Sequence, residues 1–118
     1  HVEYPREAMA EMRRVLAPGG LLVIASVMNF PIHDYPHDYW RFTPEAFRSL
    51  LKDFPASFVG AAGKRSFPHT VVGIGFAGPE PRAAMTALAP RYEAWRAAWK
   101  KPEGERGFWS RLGLGGAK

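Results

Sequence analysis

A single α/β domain with a three-stranded mixed sheet and flanking helices is predicted, and three features of the sequence predict it. A helical pattern runs through a Pro-Gly-Gly turn directly into a short, continuous apolar run, "LLVIASV". Two further β-rich segments follow, separated by a link of hairpin length. Between these regions lies "FPIHDYPHDYWRFTPEAF", residues 30–47, dense in imidazole, aromatic and carboxylate side chains. The chain has 118 residues, which is one domain at most, and its 47% apolar content is enough for a core.

Residues 5–17, "PREAMAEMRRVLA", form the first predicted helix. Pro5 suits the first helical position, Glu7 the first turn, and Arg13 and Arg14 the last. Ala8, Met12, Val15 and Leu16 share one face, and Pro18-Gly19-Gly20 ends the helix. Residues 21–27 then read as a strand buried on both faces of a mostly parallel sheet, the second half of a β-α-β unit. After the dense loop, Thr43, Pro44 and Glu45 supply an N-cap, a first helical residue and a first-turn anion. Phe47, Leu50, Leu51 and Phe54 make an apolar stripe that packs on the sheet. Residues 56–62 and 70–77 read as an antiparallel hairpin joined by "GKRSFPH". A parallel pattern followed by a hairpin gives the mixed sheet. Residues 82–89 suggest a short helix that Pro90 interrupts. "RYEAWRAAWKK" then spaces Tyr92, Trp95 and Trp99 by three and four, and "GLGGAK" at the end looks disordered. The chain divides into a folded part, residues 1–80, and a basic, Trp-rich extension, residues 81–118.

Charge follows the same division. Residues 1–81 hold eight Lys/Arg and eight Asp/Glu, whereas residues 82–118 hold eight basic and three acidic residues, which accounts for the net +5. The absence of cysteine excludes disulfides, thiolate metal sites and a cysteine nucleophile. No apolar stretch approaches a membrane span. His1 in place of an initiator methionine points to a processed or partial chain.

The loop carries the candidate chemistry. His33 and His37 are four apart, but Pro31 and Pro36 argue against the helix that would align them. Two histidines without a third ligand do not define a metal site, and none is predicted. Histidine oriented by a carboxylate can serve as a general base, and His33-Asp34 and His37-Asp38 each supply both types. The plainer alternative is a structured surface loop. Tyr35, Tyr39, Trp40 and Phe42 then cover the sheet edge while Arg41 pairs with Asp38 or Asp34. Position favours function, since open α/β sheets bind ligands outside the C-terminal ends of their strands.

Two stretches carry a family resemblance. "REAMAEMRRVLAPGGLLVIASV" resembles the segment of class I S-adenosylmethionine-dependent methyltransferases that leads from the helix after strand 4 into strand 5. Glu11, Arg14, Val15, Leu16, Pro18, Gly19 and Gly20 carry it, with Ala17 where lysine is commoner. "FPIHDYPHDYWRFTPEAFRSLL" resembles a type 11-like subgroup with a Pro-x-His...Pro-x-Asp-Tyr-Trp-Arg-Phe-Thr-Pro loop. Pro31, His33, Pro36, Asp38, Tyr39, Trp40, Arg41, Phe42, Thr43 and Pro44 match it.

The resemblance covers residues 1 to about 77 and implies a partial Rossmann-like fold. Its sheet would hold strands 5, 7 and 6 and lack the N-terminal cofactor-binding half. It implies methyl transfer from S-adenosyl-L-methionine to a small-molecule or sugar-like acceptor by the intact protein. His33, Asp38 and Arg41 would be catalytic, and Tyr35, His37, Tyr39 and Trp40 would bind the acceptor. His1 and Val2 would lie beside the cofactor. A doubly buried first strand with one neighbour would also need a homodimer partner or the missing N-terminal half across its open edge. The alternative is a non-enzymatic remnant that binds a protein partner or an anionic membrane surface through the tail. There Trp95 and Trp99 beside Lys100 and Lys101 fit an interfacial helix, unless those aromatics dock on the sheet. No nucleic-acid partner is expected, and the expected location is cytoplasmic.

Overall fold

The computed structural model describes residues 1–99; Lys100, Lys101 and the terminal stretch expected to be disordered lie outside the described residues. Helix α1 spans Pro5–Arg14, strand β1 Leu21–Val27, helix α2 Pro44–Leu51, strand β2 Ala56–Lys64, strand β3 Phe67–Phe76 and helix α3 Arg82–Ala98. The strands form one sheet in the order β1-β3-β2.

The local signals place most of these elements. Pro5 opens α1, with Glu7 in its first turn and Arg13 and Arg14 in its last. The helix stops short of the expected Ala17 because the residue before Pro18 is pushed out of the helical region. The Leu16 amide instead donates to the Arg13 carbonyl at 3.2 Å, tightening the final turn. Gly19 then takes a φ of 73°, a left-handed conformation that costs glycine nothing, and the chain enters β1. In α2 the Thr43 hydroxyl accepts a hydrogen bond from the Ala46 amide at 3.0 Å, directly ahead of Pro44. Thr43→Ala is expected to lower the unfolding free energy by about 1 kcal/mol. Urea denaturation checks this, and an unchanged midpoint would remove Thr43 from the capping role.

Two elements outrun their sequence signals. The β2–β3 hairpin turns at Arg65-Ser66, so the strands absorb most of the expected link. Pro68 fits inside β3 because it faces Gly63, beside a bulge between Ala62 and Gly63. Helix α3 continues through Pro90, where a break was expected. Its Leu88, Tyr92 and Trp95, on both sides of Pro90, border one groove with Val23, Phe58, Val72 and Ile74 of the sheet.

The sheet is sandwiched. On one face, Met9 of α1, Leu51 of α2 and Phe54 beyond it form the buried core, with Leu22, Ile24 and Val59 packed against them. The close fit depends on β3. A methyl group added at Gly73 would stand 2.7 Å from a Leu51 methyl carbon, so α2 rests on bare backbone. On the other face lies α3. The Tyr92 hydroxyl accepts the Ala61 amide at 3.0 Å and donates to its carbonyl at 3.4 Å, occupying the outer edge of β2.

The ladder directions correct the expected architecture. β1 pairs antiparallel with β3, from Leu21 opposite Phe76 to Val27 opposite Thr70. β2 also pairs antiparallel with β3. The sheet is therefore antiparallel, not mixed, and no adjacent pair among the described residues is parallel. The expectation of a Rossmann-like methyltransferase fold is corrected accordingly. Its cofactor cleft lies where neighbouring parallel strands diverge, and an antiparallel sheet offers no such point. With that cleft go the assignment as an S-adenosylmethionine-dependent methyltransferase, the S-adenosyl-L-methionine cofactor and the small-molecule acceptor beside it.

The remaining partner expectations lose their premises on packing grounds. β1 is not buried on both faces: Leu21 is 53% and Val23 60% exposed, while Leu22 and Ile24 pack inward. It is therefore not the doubly buried strand on which the expected homodimer partner or missing N-terminal half rested. Tyr92 of α3 and Trp99 just beyond it contact the sheet. Tyr92 meets Phe58 edge-on at 5.2 Å, and Trp99 stacks on His69 at 4.4 Å. Among the described residues, no helix is long and apolar enough to cross a membrane.

Candidate functional site

The loop between β1 and α2, residues 28–43, is built around one ion pair. It leaves the sheet in register, with the Met28 amide on the His69 carbonyl at 2.9 Å and the Asn29 amide on the Pro68 carbonyl at 3.1 Å. It then folds back over the Asp38 carboxylate, whose side chain is only 4% exposed. Arg41 grips that carboxylate with both terminal nitrogens, Nη1 to Oδ1 at 2.6 Å and Nη2 to Oδ2 at 2.7 Å. The backbone amide of His33 donates to Oδ2 at 2.9 Å. The guanidinium hydrogen bonds, and then this amide, hold the Asp38 carboxyl well below the usual carboxylate range.

Arg41 is fully spent. Its Nε donates to the Phe30 carbonyl at 3.0 Å, Nη2 to the Pro31 carbonyl at 2.8 Å and Nη1 to the Trp40 carbonyl at 2.8 Å. With the two bonds to Asp38, these use every N–H a guanidinium has. Asp38 and Arg41 therefore hold the loop in shape. Arg41 has no donor left for an incoming anion, and the Asp38 oxygens face inward.

A different set of groups faces out. His1, 32 residues from His33 in sequence, brings its Nε2 to 3.2 Å from the His33 Nε2. The rings meet edge-on, centroids 4.8 Å apart. His1 Nδ1 lies 2.9 Å from the His37 carbonyl oxygen. His33 Nδ1 lies 3.2 Å from the Pro31 carbonyl and 3.2 Å from Asp38 Oδ2. Those partners are acceptors only, so each Nδ1 must carry a proton and each neutral ring leaves its Nε2 lone pair bare. The two nitrogens lie 3.2 Å apart.

Asp34 completes the group. It sits at φ 51°, a left-handed conformation that aspartate tolerates better than most residues. Its Oδ2 is 3.9 Å from His1 Nε2 and 3.8 Å from His33 Nε2, and its side chain is 78% exposed.

The other expected site residues surround this centre without joining it. The His37 ring turns to the Tyr39 hydroxyl at 3.1 Å, while its carbonyl receives His1. The Trp40 indole N–H reaches the Glu3 carbonyl at 3.3 Å, so residues 1–4 are tied to the loop at two points. Tyr35, Tyr39, Trp40 and Val2 are exposed. Sequence spacing pairs His33 with His37; the fold pairs it with His1. Asp34, read in the sequence as a carboxylate partner for His33 or Arg41, faces both imidazoles. The adjacency of His33 and Asp34 was a signal for it, whereas nothing local links His1 to the loop.

No protein-family model, curated protein or solved structure matches this chain.

Proposed function

We propose that the chain is a ligand-binding module whose binding centre is the imidazole pair His1–His33, framed by residues 34–40. The single observation that carries this reading is the 3.2 Å approach of two Nε2 atoms whose rings both turn Nδ1 to a backbone carbonyl. Two such nitrogens this close together form an electron-pair-donor site. Its natural ligand is an electron-pair acceptor, either a cation or a strong hydrogen-bond donor. Of the three residues expected to be catalytic, His33 belongs to the centre, and Asp38 and Arg41 position it. Tyr35, His37, Tyr39 and Trp40 form the rim that an occupant would touch, and Val2 flanks it. A cytoplasmic location is part of the same proposal.

Imidazole nitrogen NMR tests the reading directly. Long-range proton–nitrogen correlation spectra of the nitrogen-labelled protein at pH 8 are expected to show His1 and His33 as Nδ1–H tautomers. If either ring is the Nε2–H tautomer, one lone pair is absent and the proposed centre falls.

A further inference from the structure

We infer that the His1–His33 centre is a binding site for a divalent transition-metal ion of the zinc class, with Asp34 as third ligand. The inference rests on the binding reading above and goes beyond it by naming the ligand.

The geometry carries it. Zinc holds histidine nitrogens at about 2.0–2.1 Å, so two such ligands of a tetrahedral ion stand roughly 3.3 Å apart. The two Nε2 atoms stand 3.2 Å apart. A carboxylate oxygen on the same ion would stand at a similar separation from each nitrogen, and Asp34 Oδ2 lies at 3.9 and 3.8 Å from them. A small rotation of this exposed side chain closes the difference. The fourth position opens to solvent.

The outer shell points the same way. Metal-bound histidines almost always donate their second ring N–H to a carbonyl or a carboxylate, which fixes the tautomer and aims the ring. Both imidazoles do so here: His1 to the His37 carbonyl, and His33 to the Pro31 carbonyl and Asp38. Potential ligand atoms of His1, His33 and Asp38 lie within 4.8 Å of one another. Asp38, however, is committed to Arg41 through both oxygens, so it orients His33 and leaves the third coordination place to Asp34. Donor type selects the metal. Two imidazoles and one carboxylate suit zinc, nickel or copper, whereas calcium and magnesium take oxygen-rich cages.

The test is calorimetric titration of zinc chloride into the full chain, stripped of metal and carrying no histidine tag. One ion per chain is expected to bind with a micromolar dissociation constant. His1→Ala and His33→Ala should each weaken binding at least about tenfold, and Asp38→Asn about ten- to a hundredfold through the outer shell. His69→Ala, which removes an imidazole stacked on Trp99 away from the centre, should bind like the unaltered protein. Cobalt(II) absorption of the unaltered chain adds a readout independent of any variant's folding; a tetrahedral visible spectrum without a thiolate charge-transfer band is expected. No saturable binding, or binding lost in His69→Ala but kept in His33→Ala, overturns the inference. Nδ1–H tautomers with no metal binding would overturn the metal alone; Nε2–H tautomers would overturn the binding centre itself.

Discussion

Gly73→Ala and Leu51→Ala are each expected to destabilise the fold, and the pair together to cost less than the sum. Leu51 is 0% exposed, so truncating it removes buried methyl groups and leaves a cavity, a loss of about 2–5 kcal/mol. Gly73→Ala acts in the opposite sense. Its new methyl would stand 2.7 Å from a Leu51 methyl carbon, 3.1 Å from the Phe47 ring and 3.2 Å from Ile24. Overpacking of this kind costs about 1–3 kcal/mol. In the double variant the added methyl occupies part of the space that Leu51 vacates, giving a favourable coupling of roughly 0.5–3 kcal/mol. Urea unfolding of all four proteins measures it. Strict additivity would mean that α2 does not rest on Gly73.

Asp38→Ala is expected to release the loop while leaving the sheet folded. The substitution strands a guanidinium whose two bonds to the carboxylate are 2.6 and 2.7 Å long, and it frees the His33 amide. Cleavage between residues 28 and 43 by a broad-specificity protease should then quicken roughly tenfold or more, because proteolysis follows the population of the open loop when reclosing is fast. Arg41→Ala should produce the same phenotype. The double variant should be no worse than either single one, since the pair acts as a unit. Continued protection of the loop in Asp38→Ala would show that the aromatic contacts, and not the ion pair, hold it.

Legibility in the sequence followed the range of the interaction. The start of α2 could be read because Thr43, Pro44 and Glu45 act within one turn. The limits of β1 could be read because Gly20 and the end of the apolar run bracket it. The Asp38–Arg41 pair was visible as one of two partners for Arg41, three residues apart. Strand direction was not visible. An apolar run such as residues 21–27 is compatible with a doubly buried parallel strand or an antiparallel edge strand. Only its pairing with residues 70–76, some fifty positions away, decides between them. The resemblance to a methyltransferase segment rested on local strings and carried that ambiguity with it. Helix α3 was cut at Pro90 by a local penalty, which the partners of Tyr92 and Trp95 on the sheet override. His1 joined the site across 32 residues, beyond anything spacing can report.

The exhaustion of Arg41 has a consequence of its own. By holding the carbonyls of Phe30, Pro31 and Trp40 together with Asp38, one side chain closes residues 30–41 into a ring without a covalent bond. The conformational entropy of that segment is surrendered when the chain folds, not when something docks on it. An occupant of the proposed site would therefore meet a preformed surface, and the ordering left to it would fall on a few exposed side chains, Asp34 and Tyr35 foremost.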